Sequence, residues 1–421
     1  MPQPALCATV LETLDRVRAD PSSASGLVEA CLARIAAREP AVAAWEIVDE
    51  ANARKAALAP GKGPLAGLAI GIKDVIDTAD SVTTYGSRAY AGHRPNADAA
   101  CVATLRAAGA IVLGKTVSTE FASSHPGKTR NPHDPGHTPG GSSSGSAAAV
   151  ADGMVPVALG TQTAGSVIRP ASFCGVVGYK GTRGWTDIAG IHPLAPTFDT
   201  LGIFARQVAD IAPVRAVLAE GARPRVRPRI PRVGVCRSPV WDQCGPGSRA
   251  VLEATARRIA AAGATVFEVV LPASWDALVE THKTIMLPDM PAVFADVIAR
   301  RGELVSASFK AQVRDGAAMA ADIVAAARRA MALRQADFAH MVRPGEIWIT
   351  PAAPDEAPAG IGNTGDPAFN RLWTLLYGPC VSLPAGVGAK GLPIGVQLVS
   401  PAGTDDDLLD AAAWVEGVLA A

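Results

Sequence analysis

Short apolar runs alternate along this chain with stretches of helical spacing, and that alternation restricts it to an α/β fold with a largely buried sheet. Between Leu68 and Ile72, Leu68, Ile70 and Ile72 fall on one face of a strand while Ala69 and Gly71 clear the other for close packing. Lys73-Asp74 then stands at the strand's end. A helical stretch over 97–108 leads through Gly109 into the strand Ala110-Ile111-Val112-Leu113. Upstream, Ser23 and Ser25 precede an apolar stripe at Leu27, Val28, Cys31, Leu32 and Ile35, which predicts a capped amphipathic helix. Further strands are predicted over 232–236, 265–270, 346–350, 380–383 and 394–399, with helices over 247–262 and 406–419. The stretch 275–340 reads as mainly helical without recognisable chemistry, which predicts a lid or substrate-shaping insert. Around 221–232, arginines interleaved with Pro224, Pro228 and Pro231 read as a solvated linker.

At 421 residues the chain buries a large core without staples. Lys plus Arg and Asp plus Glu both number 39, which removes the electrostatic footprint of a nucleic-acid or anionic-membrane binder. No apolar run reaches the ~18 residues of a membrane helix. A small-molecule partner is therefore expected. The seven cysteines are scattered without a Cys-x-x-Cys pair, which fits neither a disulfide framework nor a zinc site. The first twenty residues lack a basic region and a long apolar run, so no secretory signal is read there and a cytoplasmic location is the expectation.

Two motifs carry less than their patterns suggest. Gly109 to Thr116 matches the P-loop expression, but the residues between its glycines are strand formers that cannot wrap a phosphate. His125, His133 and His137 lie near one another, yet Pro132, Pro135 and Pro139 forbid the helix that would align them for a metal. Cys174 reads as an inert buried thiol. The glycine-serine run from Gly140 to Ser146 leads straight into Ala147-Ala148-Ala149, which makes it a loop-to-helix junction whose amides and hydroxyls can face a ligand. A second such junction, Gly160 to Pro170, surrounds Ser166 with small residues, leaving the hydroxyl uncrowded and backbone amides free for an oxyanion. With Lys73 ending an upstream buried strand, the two junctions describe a Ser-Ser-Lys hydrolase.

Together these segments resemble the amidase signature family. The resemblance runs through Gly63 to Gly67, Gly71 to Asp74, Gly114-Lys115-Thr116, Thr129 to Pro132, both glycine-serine junctions, Phe198 to Gly202 and Leu392 to Gln397. It implies one α/β domain over 1–421, a large mixed β-sheet surrounded by α-helices, with the variable helical insert at about 275–340. It implies Ser166 as nucleophile, Ser142 as a bridging serine in a cis peptide, and Lys73 as base. The amides of Thr163, Ala164, Gly165 and Ser166 would hold the oxyanion, with Gly140, Gly141, Ser143 and Arg169 toward the substrate. No cofactor and no metal are expected. Gln162 and Arg169 resemble the malonamidase-like branch, in which the arginine holds a substrate carboxylate; an internal brace is the competing role for Arg169. The expected activity is hydrolysis of a small amide through an acyl-enzyme, with carboxylate-bearing amides such as malonamate as the substrates to test. The rivals are a glutaminase subunit of an aminoacyl-tRNA amidotransferase and a catalytically idle scaffold. No nucleic-acid or membrane partner is expected, and a homodimer is the assembly to test.

Overall fold

The computed structural model describes residues 5–421. The first residues of the stretch read against a secretory signal, 1–4, lie outside them. Eleven strands form one sheet among the described residues: β1 (Trp45–Val48), β2 (Ala69–Lys73), β3 (Ile111–Thr116), β4 (Val157–Gln162), β5 (Val177–Lys180), β6 (Thr200–Ala205), β7 (Arg232–Cys236), β8 (Thr265–Val269), β9 (Glu346–Pro351), β10 (Cys380–Val387) and β11 (Pro393–Val399). Their order is β1-β3-β2-β4-β6-β5-β10-β11-β9-β7-β8. β3, β2 and β4 run parallel, as do β9, β7 and β8, while the strands between them pair antiparallel. The sheet is mixed and flanked by helices, the architecture the family resemblance implies.

The two faces of β2 explain how the functional end is placed. Ile70 and Ile72 are fully buried in the larger core, each contributing about 1.5–3 kcal/mol by burial. Ala69 faces a second core with Ala158 and the alanines of helix Ser144–Ala151. That helix comes so close that a Cβ on Gly145 would stand 2.1 Å from the Ala44 carbonyl oxygen and 2.3 Å from the Val117 nitrogen. Small residues on both surfaces thus set the seat of the glycine-serine loop over the carboxyl ends of β2 and β4, where open α/β sheets present their ligand sites.

β1, β4, β5 and β6 escape the sequence reading. β4 to β6 are buried along their whole length, so they show no alternation of apolar and polar residues. The proline-arginine segment, read from the sequence as a solvated linker, does not part the sheet, because β7, β8 and β9 beyond it continue the same one. It is tied down as well: Arg223 pairs with Asp406 and Asp410 of the C-terminal helix Asp405–Ala420. Residues 275–340 form helices Leu278–Arg301, Ala307–Ala317 and Ala321–Met341. No helix among the described residues is long and apolar enough to cross a membrane.

Candidate active site

Lys73, the last residue of β2, has no exposed surface, and its Nζ donates to Ser142 Oγ at 2.7 Å and to Thr161 Oγ1 at 2.7 Å. Burial pushes its ammonium pKa well below the ordinary lysine value, and the negative charge of Asp199 opposes that shift in part. Ser142 is buried, its peptide bond to Gly141 is cis, and its hydroxyl meets Lys73 instead of capping the following helix. Ser166 lies on the wall of a cavity of about 320 Å³ together with Thr163, Ala164 and Gly165. Helix Leu278–Arg301 supplies Lys283, Met286 and Leu287 to another side, and Arg169 and Arg371 complete a cationic lining.

The remaining sequence candidates divide. Ser143 turns its hydroxyl to the Thr161 backbone, donating to the carbonyl and accepting from the amide at 3.2 Å each. Gly140 lies against Pro170 and Phe173, where a Cβ would meet Pro170 Cα at 2.8 Å. Gly141 presents its carbonyl to Arg169 Nη2 at 2.7 Å. Arg169 is held by hydrogen bonds and makes no ion pair among the described residues: Nη1 donates to the Gly365 carbonyl at 2.9 Å and Nη2 also to Thr364 Oγ1 at 3.1 Å. Burial lowers its pKa to about 9.

Several supporting residues carry no assigned role in the sequence reading. Asp199 accepts from Thr163 Oγ1 at 2.5 Å and from the amides of Leu194 and Ala195 at 2.9 and 3.1 Å. Gln162 Oε1 accepts from the amides of Val167 and Ile168, while its Nε2 donates to Thr374 Oγ1 at 3.0 Å. Thr374 in turn donates to the Ala164 carbonyl at 2.7 Å. An aspartate at 162 could not supply that first donor, so the amide side chain has a distinct structural use. Asp199 stands inside a matched run, but its contacts depend on the tertiary fold.

The dismissed motifs are structural. Lys115 is buried in β3 on the Ile76 carbonyl and Thr83 Oγ1, both at 2.6 Å. His133 Nε2 donates to the Cys174 carbonyl at 2.9 Å, and His137 pairs with Asp134. Burial raises the Cys174 thiol pKa. No group of three or more His, Cys, Asp or Glu side chains among the described residues is placed to hold a metal ion.

The mixed sheet thus carries a buried lysine–serine contact and, on a separate segment, a second serine that lines a small cavity. The family model described as Amidase matches residues 26–409, and the chain belongs to the amidase signature family. A glutamyl-tRNA(Gln) amidotransferase subunit from Synechococcus sp. (strain RCC307) is 32% identical, covering 94% of each chain. The 2-amino-5-chloromuconic acid deaminase of Comamonas testosteroni is also 32% identical, with 98% of this chain and 96% of the relative covered. The solved peptide amidase of Stenotrophomonas maltophilia superposes with a TM-score of 0.85 at 29% identity, covering 100% of this chain and 98% of its own.

Proposed function

We propose that this amidase hydrolyses a small amide that also carries an anionic group, through an acyl-enzyme on Ser166. The observation that carries the chemistry is the buried Lys73 Nζ, 2.7 Å from Ser142 Oγ and 2.7 Å from Thr161 Oγ1, two residues before the Thr163–Ser166 segment that lines the cavity. A serine hydroxyl is a weak nucleophile, and a desolvated neutral amine is a base suited to activating it. Neutral Lys73 has two N–H groups and one lone pair. Thr161 takes an N–H, and the contact with Ser142 runs opposite to that of the ammonium form, the hydroxyl now donating to the lone pair. As Ser166 Oγ bonds to the amide carbon, its proton passes to Ser142 while the Ser142 proton passes to Lys73. The charge on the former carbonyl oxygen falls to the amides of Thr163 to Ser166. Lys73 then returns the proton through Ser142 to the leaving nitrogen, and the same pair activates water against the acyl group.

The substrate class follows from the lining. Arg169, Lys283 and Arg371 line the cavity, and no aspartate or glutamate does among the described residues. Lys283 is held by Glu280 at 2.8 Å, and Arg371 lies 3.4 Å from Asp366. A cationic wall around about 320 Å³ suits a short amide with a carboxylate, such as malonamate. A relative whose name specifies an acid supports the same direction. Ammonia release from malonamate by the wild-type enzyme, with none from Ser166→Ala, tests the proposal; absence of release from any carboxylate-bearing amide in a small panel overturns the substrate class.

The relatives named as amidotransferase subunits favour a second reading, a glutamine-hydrolysing subunit. Glutaminase activity that appears only with co-purifying subunits would select it.

A further inference from the structure

The segment from Thr163 to Val167 lies between β4 and helix Ile168–Cys174 and has no regular structure of its own. Side chains from distant parts of the chain hold its carbonyls. His282 Nε2 lies 2.8 Å from the Thr163 carbonyl oxygen, and Thr374 Oγ1 donates to the next carbonyl, that of Ala164. These peptides are trans, so each carbonyl points opposite to the N–H of the same unit. Fixing the Thr163 carbonyl therefore aims the Ala164 amide, and fixing the Ala164 carbonyl aims that of Gly165. A hydrogen bond to a peptide carbonyl also polarises its N–H as a donor.

His282 is built for this task. It is fully buried, stacks on Phe198 with ring centroids 4.3 Å apart, and burial holds its pKa down to about 3. The ring is neutral at working pH. A carbonyl only accepts, so the proton is on Nε2, while Nδ1 is buried without a hydrogen-bond partner among the described residues. Its neighbour Lys283, and Met286 and Leu287 one turn on, line the cavity. The helix that shapes the substrate space thus also grips the oxyanion segment.

We infer that His282 is a positioning residue of the oxyanion hole: by holding the Thr163–Ala164 peptide it aims the Ala164 amide at the reacting oxygen, and it makes helix Leu278–Arg301 part of the catalytic scaffold. This rests on the Ser166 reading above. The test is the rate at which a short-chain alkyl fluorophosphonate modifies Ser166 in the wild type and in His282→Phe, His282→Asn and His282→Gln. In that reaction Ser166 Oγ forms the bond to phosphorus, fluoride leaves with the P–F electrons, and the serine proton passes to the Ser142–Lys73 pair. The phosphoryl oxygen occupies the oxyanion position. Phe keeps the stack on Phe198 without a donor, Asn puts its amide nitrogen at the place of Nδ1, and Gln puts one at the place of Nε2. The Phe and Asn variants should lose ~10- to 100-fold in the maximal inactivation rate, with the inhibitor's binding constant unchanged, short of the ~10²–10³ that follows complete loss of a donor. Gln should stay within about threefold of wild type. Wild-type rates in Phe and Asn, or a loss in Gln as large as theirs, overturn the inference. If the Phe variant does not fold, the Asn and Gln comparison decides alone. Peptide mapping separates the two levels: a wild-type label on a residue other than Ser166 overturns the underlying reading and the inference with it, whereas a label on Ser166 leaves only the role of His282 at stake.

Discussion

Arg371 offers the sharpest test of substrate choice. Its side chain is 16% exposed, it faces the cavity, and its ion-pair partner Asp366 is 54% exposed at 3.4 Å. A desolvated guanidinium with a loose, solvated partner gains from an incoming carboxylate. Two unit charges 4 Å apart attract by about 4 kcal/mol at an effective dielectric near 20, and competition from Asp366 reduces that. The charge-assisted hydrogen bond itself is worth ~1.5–3 kcal/mol, or roughly 10- to 150-fold in kcat/KM. Arg371→Met keeps the stem and removes the charge. Ammonia release from malonamate should fall by that factor, while malonamide, neutral and nearly the same shape, should change less than about twofold. Arg169→Met should behave differently and slow both substrates, because it releases the Gly141 carbonyl next to Ser142. Equal losses on the two substrates in Arg371→Met, or an unchanged preference, would refute the argument.

Other consequences follow from the buried groups. Lys73→Met should abolish turnover yet raise Tm: the folded lysine pKa is depressed, so the unfolded chain binds the extra proton, and the stability gap should widen as pH falls below ~10.4 and level off beneath the folded value. Thermal melts of the two proteins from pH 10 downward check the sign. The rate should rise with pH through that same depressed pKa, since only neutral Lys73 is a base, and Asp199→Asn should move the limb to lower pH because Asp199 favours the ammonium. A limb that moves to higher pH contradicts this assignment. Gly145→Ala places a Cβ against backbone on two sides and should destabilise by ~3 kcal/mol or more, read by chemical denaturation.

What the sequence makes legible is local. Lys73 is conspicuous because Ile70 and Ile72 define a strand with a charge at its end, and Ser142 and Ser166 because small residues surround them. β4 and β6 go unseen because strands buried on both faces lose the two-residue period. The helix Leu278–Arg301 contains Pro288 and Pro291, which ordinarily break helices, and no local pattern marks His282. Its contact with Thr163 spans 119 residues and that of Thr374 with Ala164 spans 210, so both exist only after folding. Arg169 is visible as a residue, but not its partners: a bond to a backbone carbonyl leaves no second charged residue in the sequence to pair with it.

The central claim is that Ser166 carries the acyl group. Rapid quenching during malonamate turnover, followed by peptide mass mapping, measures this directly. An acylated Ser166 peptide should form before steady state and be absent from the inactive, folded Ser166→Ala protein. Acylation of another residue, or ammonia release by Ser166→Ala at a rate near wild type, would contradict it.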